Sequence, residues 1–393
     1  MPAPEPHAPD TKRSSDDTRD ATRVVRAGLP HAAAGTPYLP GPTFAATFHS
    51  PGNPADSDFT YGRFSNPTWR GYELALESLE GGQAVLFASG MAASFALLST
   101  VLRAGMKVVM PSDCYYTTRL IAAEQFASVG VEVVMAPTAG DAQGALLGGA
   151  SLLWIESPSN PALDVCDIAR LAALAHDNGA LVAVDNTTAT MLGQRPLALG
   201  ADFVVMSDTK AMCGHADVIL GHVACRDPEW AEKLRTWRTR TGAIPGPMEV
   251  WLAHRSLGTL DVRLSRQCES ALAIAEFLEG HAAVTDVRYP GLPGDPSHEI
   301  ASRQMTRFGP VVGFTLRDQS AAERFFAASS LVHEATSFGG IHTSAERRAR
   351  WGGDAVAEGF IRLSIGVEDV RDLVTDLEHA LQHAAGPAFQ ATE

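Results

Sequence analysis

Lysine is scarce: the 393 residues contain four. Basic residues number 31 against 45 acidic ones, a net charge of −14. That balance makes nucleic acid and anionic membranes poor partners. No apolar run reaches the roughly 20 residues needed to span a bilayer. The five cysteines (Cys114, Cys166, Cys213, Cys225, Cys268) are scattered without a Cys-x-x-Cys pair. Reduced thiols in a cytoplasmic protein follow, and neither a disulfide framework nor a zinc knuckle. His215 and His222 have no helical metal spacing and no acidic or thiol cluster beside them, so no metal is expected. No Gly-x-Gly-x-x-Gly turn follows the first apolar strand, which argues against a nucleotide-binding dehydrogenase. Residues 1–20 are polar and Pro-rich without an apolar core, and read as a disordered tail and not a signal peptide.

One of the four lysines, Lys210, ends the stretch ADFVVMSDTK at residues 201–210. The apolar run predicts a buried strand, broken by Ser-Asp-Thr. The plainer reading is a lysine entering a solvated loop. Burial would instead lower its pKa and leave a nucleophilic amine suited to a Schiff base. Two earlier strands favour the second reading: 152–155 runs into Glu156 and 180–184 into Asp185, with an amphipathic helix over 167–178 between them. Strand, helix, strand predicts a parallel βαβ unit. Ligands bind outside the carboxyl ends of such strands, where Glu156, Asp185 and Lys210 would meet.

The chain's length implies two domains. Residues 21–66 are rich in Gly, Pro and Thr, and predict an irregular arm contacting a neighbouring subunit. A helix over 69–80 stops at Gly81-Gly82. A strand from Val85 turns at Ser89-Gly90 into a helix, whose free N–H groups suit a phosphate. Residues 108–110 are a strand leading to adjacent Tyr115 and Tyr116. An apolar strand is expected over 217–221 and one long helical stretch over 248–278. Strands over 284–289, 311–316 and 360–364 then alternate with helices over 297–307, 321–328 and 370–383. The expected division is a tail at 1–20, an arm at 21–66, a large domain at 67–258 and a C-terminal α+β domain at 259–393.

Taken together, YGRFSNPT (61–68), SGMA (89–92), ESPSNP (156–161), VDNT (184–187), SDTK (207–210) with Gly214-His215, VRYPGL (287–292) and RLSIG (362–366) closely resemble one family. It is the Cys/Met-metabolism group of pyridoxal-phosphate enzymes, which contains the cystathionine γ-synthases and γ-lyases, and the resemblance covers roughly residues 20–385. It implies pyridoxal 5′-phosphate (PLP) on a fold type I, aspartate-aminotransferase-like α/β architecture, with a mainly parallel central sheet and a smaller C-terminal α+β domain. Lys210 would be the Schiff-base lysine and proton shuttle, Asp185 the partner of the pyridine nitrogen, and Tyr115 the residue stacked on the ring. Ser89, Gly90, Met91, Ser207 and Thr209 would hold the phosphate, joined by Tyr61 and Arg63 from a neighbouring subunit. Asn160, Ser337 and Arg362 would hold the substrate carboxylate and the O3′ side of the cofactor. Tyr61 is also assigned to the substrate. Plainer readings are a helix cap for Asp185, a surface position for Arg362 and a packing role for Tyr115.

The resemblance further implies a homotetramer, a dimer of dimers with shared sites, acting on a small amino acid. The expected reaction is γ-cleavage of cystathionine to cysteine, 2-oxobutyrate and ammonia. γ-Replacement, β-elimination, methionine cleavage and a non-catalytic PLP-binding role are the alternatives. Three departures bear on the substrate. Ile341-His342-Thr343 stands where an acidic residue and a small hydroxyl are usual. Tyr115-Tyr116-Thr117-Thr118 replaces a Gly-containing turn, and residues 345–354 (AERRARWGGD) replace a Met-Thr-His stretch. All three would line the far end of the substrate pocket, with His342 beside the substrate.

Overall fold

The computed structural model describes residues 18–386. Seven strands form the first sheet: β1 (Gln83–Phe87), β2 (Lys107–Pro111), β3 (Glu132–Ala136), β4 (Leu152–Glu156), β5 (Leu181–Asp185), β6 (Phe203–Met206) and β7 (Gly221–Cys225). Their order is β1-β7-β6-β5-β4-β2-β3. β6, β5, β4, β2 and β3 run parallel, and β7 is antiparallel to both its neighbours. Every residue of β4 is buried, as a strand covered on both faces requires. β3 was not foreseen: its Glu132 and half-exposed valines lie on the sheet edge, where the apolar signal is diluted.

Five more strands, β8 (Val284–Arg288), β9 (Val311–Leu316), β10 (His333–Glu334), β11 (Ser344–Arg347) and β12 (Phe360–Ser364), form a second sheet in the order β10-β11-β12-β9-β8. Helices Gln319–Ala328 and Val370–Ala385 cover it through Phe325, Leu373, Leu377 and Leu381. The helix Leu260–Glu279 bridges the two halves. Its Leu260 and Leu264 lie in a core of the first sheet, and its Ile274 and Leu278 in that of the second.

Three expectations change. Residues 248–278 are two helices, Pro247–Leu257 and Leu260–Glu279, because the chain breaks at Gly258-Thr259 and Ser256 O turns to accept from Thr259 and Arg263. Residues 217–220 are not strand. The Thr209 hydroxyl donates to Leu220 O at 3.1 Å and accepts from Leu220 N at 3.0 Å, so pairing begins only at Gly221. The arm is irregular except for a helix at Asp20–Arg26 and a single turn at Pro54–Asp56. The expected tail lies outside the described residues up to 17. Among the described residues, no helix is long and apolar enough to cross a membrane.

Candidate active site

The carboxyl ends of the parallel strands open into a cavity of about 520 Å³. Register places Glu156, the last residue of β4, directly beside Asp185, the last of β5. β6 ends at Met206, and the following turn carries Ser207, Thr209 and Lys210 into the same space. The twelve-residue helix Gly90–Val101 enters from β1. Ser89 caps it, accepting from Ala92 N at 3.0 Å. Close approach explains the glycine: a Cβ at Gly90 would lie 2.6 Å from Ser207 Cβ, and one at Gly221 equally near Gly90 Cα.

Lys210 Nζ donates to Ser337 Oγ at 2.7 Å, with no carboxylate in ion-pair contact. Burial, and then the nearby Arg362 guanidinium, bring its pKa down to about 8. Asp185 accepts from Thr187 N at 3.0 Å, and burial raises its pKa. Glu156 is pushed well above the usual carboxylate range by burial and by Asp185 beside it. A buried carboxylate in this position calls for a cation or a proton.

Hydrogen bonds close a ring around the other end of the cavity. Glu156 accepts from Tyr115 N at 2.8 Å and Asn160 N at 2.9 Å. Asn160 Oδ1 accepts from Arg362 Nη1 at 2.6 Å, and Arg362 Nη2 donates to Ser337 O and to Glu346 Oε2, each at 3.0 Å. Glu346 Oε2 also accepts from Arg348 Nη1 at 2.8 Å, Arg348 Nε donates to Asp354 Oδ2 at 3.0 Å, and Arg119 Nη2 reaches Asp354 Oδ1 at 3.1 Å. Arg119 belongs to the short helix Tyr116–Leu120 that Tyr115 leads into, so the ring returns to its start. Ser337 carries a left-handed φ of 82° within it, backbone strain of the kind that gathers at functional sites. Arg362 is buried and its Nε has no acceptor among the described residues, as a guanidinium awaiting a carboxylate would have.

The cavity thus brings together Ser89, Gly90, Met91, Tyr115, Asn160, Asp185, Ser207, Thr209, Lys210, Ser337 and Arg362. Three expected residues lie outside its wall. Tyr61 and Arg63 are on the arm, where the Arg63 guanidinium sits 5.4 Å from the Tyr61 ring and donates to Thr239 O at 2.5 Å. His342 is exposed, its ring 6.3 Å from that of His333, because β11 turns the chain away from the cavity after Gly340. Thr209 is at the wall, but its single hydroxyl proton goes to Leu220 O, so of the two hydroxyls in this turn Ser207's is the one left to donate to a phosphate. Residues 345–354 were expected at the far end of the pocket, and the structure places Arg348 and Trp351 of that segment in the lining with Glu346 behind them, without the sequence having singled out any one of the three. In that segment three arginines, Arg347, Arg348 and Arg350, precede Trp351.

The residues fit PLP. An N-terminal helix end with glycine at closest approach suits the phosphate, a buried carboxylate suits a protonated ring nitrogen, and a lysine with depressed pKa suits the aldehyde. A family model described as "Cys/Met metabolism PLP-dependent enzyme" matches residues 32–382. A Streptomyces coelicolor protein named "Putative cystathionine gamma-lyase" is 56% identical over 94% of this chain and 95% of its own. The cystathionine gamma-synthase of Mycobacterium tuberculosis H37Rv is 40% identical over 92% of this chain and 96% of its own. The crystal structure of cystathionine gamma synthase from Xanthomonas oryzae pv. oryzae, in complex with cystathionine, superposes with a TM-score of 0.90 at 33% identity, covering 95% and 99% of the two chains.

Proposed function

The chain belongs to the Cys/Met-metabolism family of PLP-dependent enzymes, and we propose that within it the protein cleaves the Cγ–S bond of L-cystathionine to give cysteine, 2-oxobutyrate and ammonia. Lyase chemistry on PLP is the family's common ground, while its members are variously named γ-lyase, γ-synthase and β-lyase. The observation that carries the PLP-lyase reading is Lys210 itself, an amine whose pKa burial brings down to about 8, held by Ser337 Oγ between the Asp185 end of the cavity and the Arg362 end. What favours γ-cleavage is the 56% identity to the Streptomyces coelicolor protein named "Putative cystathionine gamma-lyase".

When bound, PLP supplies a sink for negative charge that develops at the substrate's Cα. Arg362 and Asn160 orient the substrate through its α-carboxylate, the guanidinium fork setting the direction of the Cα–H bond. Lys210 Nζ takes the Cα proton. It exchanges a proton at Cβ as the thiolate leaves from Cγ, with Ser337 Oγ holding the amine between transfers. Asp185 keeps its proton-sharing partner charged, and Glu156 fixes the loops of Tyr115 and Asn160.

A shared site belongs to the same reading. Tyr61 and Arg63 lie away from this chain's cavity on an arm with exposed Tyr38 and Phe44, an arrangement that suits reaching a neighbouring copy within a homotetramer. The test is product analysis on purified yellow protein given cystathionine, O-succinylhomoserine with cysteine, or methionine. Release of 2-oxobutyrate and cysteine from cystathionine is expected. Net synthesis of cystathionine without that release would instead assign γ-replacement, and pyruvate with homocysteine would assign β-elimination.

A further inference from the structure

Five charged side chains line the cavity: Glu156, Asp185, Lys210, Arg348 and Arg362. Under the proposed function, on which the present step rests, four have work. Lys210 and Asp185 serve the cofactor, Arg362 the α-carboxylate, and both Glu156 oxygens are committed to backbone N–H groups. Arg348 is left over.

We propose that Arg348 determines specificity by binding a carboxylate at the far end of the γ-substituent, and that the site takes no account of an ammonium there. The substrate class is then a γ-substituted amino acid whose leaving thiol carries a terminal carboxylate, with or without an amine beside it. Arg348 Nε and Nη2 donate to Asp354 and Nη1 to Glu346, which fixes the guanidinium plane. Three of its five N–H groups are thus engaged, and one remains on each terminal nitrogen to donate to a carboxylate. The groups facing it are Glu346, Asp354, Arg362 and Arg119, so its two carboxylates are balanced by three guanidinium ions, and the local balance favours an anion. Neither carboxylate is spare. Glu346 accepts from Arg348, Arg350, Arg362 and Trp351, and Asp354 from Arg119 and Arg348. A distal ammonium beside Arg348 therefore finds no uncommitted carboxylate among the described residues. Tyr116 packs against Gly353 and holds this wall to the large sheet.

Three sulfides that share the same two carbons beyond sulfur separate the two features: cystathionine, S-(2-carboxyethyl)-L-homocysteine without the distal amine, and S-(2-aminoethyl)-L-homocysteine without the distal carboxylate. With the holoenzyme, kcat/KM from 2-oxobutyrate release should agree within about threefold for the first two and fall about tenfold or more for the third. Arg348→Gln should close that gap, and Arg348→Lys, which keeps the charge and loses the fork, should restore part of it. An aminoethyl compound as good as cystathionine, or a gap that survives Arg348→Gln, overturns the proposal. If no sulfide releases 2-oxobutyrate, the lyase reading fails, and binding still decides the role of Arg348. Suberate spaces two carboxylates by six methylenes, as cystathionine spaces its own by six chain atoms. By calorimetry on the holoenzyme it should bind about tenfold tighter than octanoate in the parent protein and equally in Arg348→Gln; equal binding in the parent rejects the carboxylate site.

Discussion

At the scale of single residues, the chemistry turns on how burial changes Lys210. An ordinary lysine is protonated at neutral pH and inert as a nucleophile. Here desolvation, with Arg362 adding repulsion, brings the pKa to about 8, so a usable fraction of the amine is neutral. Lys210→Ala should remain folded, lose the yellow absorbance of bound PLP and lose turnover by about a thousandfold or more, the scale of a missing proton-transfer group. Visible spectra and 2-oxobutyrate release check this, and retained turnover would reject the assignment. The sign of the pH effect follows from the direction of the shift. As pH rises through 8 the neutral amine grows, so capture of added PLP by the cofactor-free protein should accelerate with a midpoint near 8. A stopped-flow midpoint at an ordinary lysine value, above 10, would mean that the amine is solvated.

Elements hold these residues still, and they differ in how openly the sequence declares them. β4, β5 and β6 were legible because strands buried on both faces must be apolar throughout, and the polar last residues of β4 and β5, like the Ser207-Asp208-Thr209 turn after β6, mark the ligand edge. Residues 345–354 were expected at the pocket, but the pairing inside them was not legible, because Arg348 is buried by Glu346 and Asp354, which lie in the same segment but meet only in the fold. His342 was misplaced for a related reason: neighbours in sequence to Ser337 and Gly339 need not share its side of the sheet. The buried His222 in β7 was set aside as a metal ligand, and its partners give it a structural role. Burial alone would depress its pKa, but Asp208 Oδ1 at 2.6 Å and Glu80 outweigh it and raise the value to about 10. A raised pKa contributes stability that is complete below about 6.5 and is lost as pH climbs towards 10. The Tm deficit of His222→Gln should therefore be larger at pH 6 than at pH 10, and a constant deficit would show an uncharged ring. At the helix end, a methyl at Gly90 meets Ser207 at 2.6 Å. Overpacking of this kind costs about 1–3 kcal/mol. Gly90→Ala should weaken PLP roughly tenfold by equilibrium dialysis while barely changing the second sheet.

At the scale of the whole molecule, one chain assembles the cavity yet leaves part of the expected cradle elsewhere. Ser89, Gly90, Met91 and Ser207 supply donors to a phosphate, but among the described residues no arginine of the same chain lines that end: Arg348 and Arg362 belong to the hydrogen-bonded ring at the other. A dianionic phosphate is bound far better with a guanidinium than with neutral donors alone. Arg63 is on the arm, stacked on Tyr61 and Phe64, and half-exposed aromatic residues beside it offer surface for another copy. If the arm of one copy completes the site of another, lesions at Arg63 and Lys210 fall in different sites of a mixed assembly. Arg63→Ala and Lys210→Ala homomers should each be nearly inactive. Unfolded together and refolded at equal concentration, they should form hybrids in which some sites carry neither lesion. In a two-fold pair that exchanges arms, a mixed pair holds one intact site and one doubly damaged site. Random pairing makes half of all pairs mixed, so activity near a quarter of the parent is expected. Subunits labelled with two fluorophores report whether hybrids form, which separates the two ways the experiment can come out negative. Hybrids that form and stay inactive would place Arg63 in its own chain's chemistry or outside the site altogether, and the arm would then be a purely structural clasp.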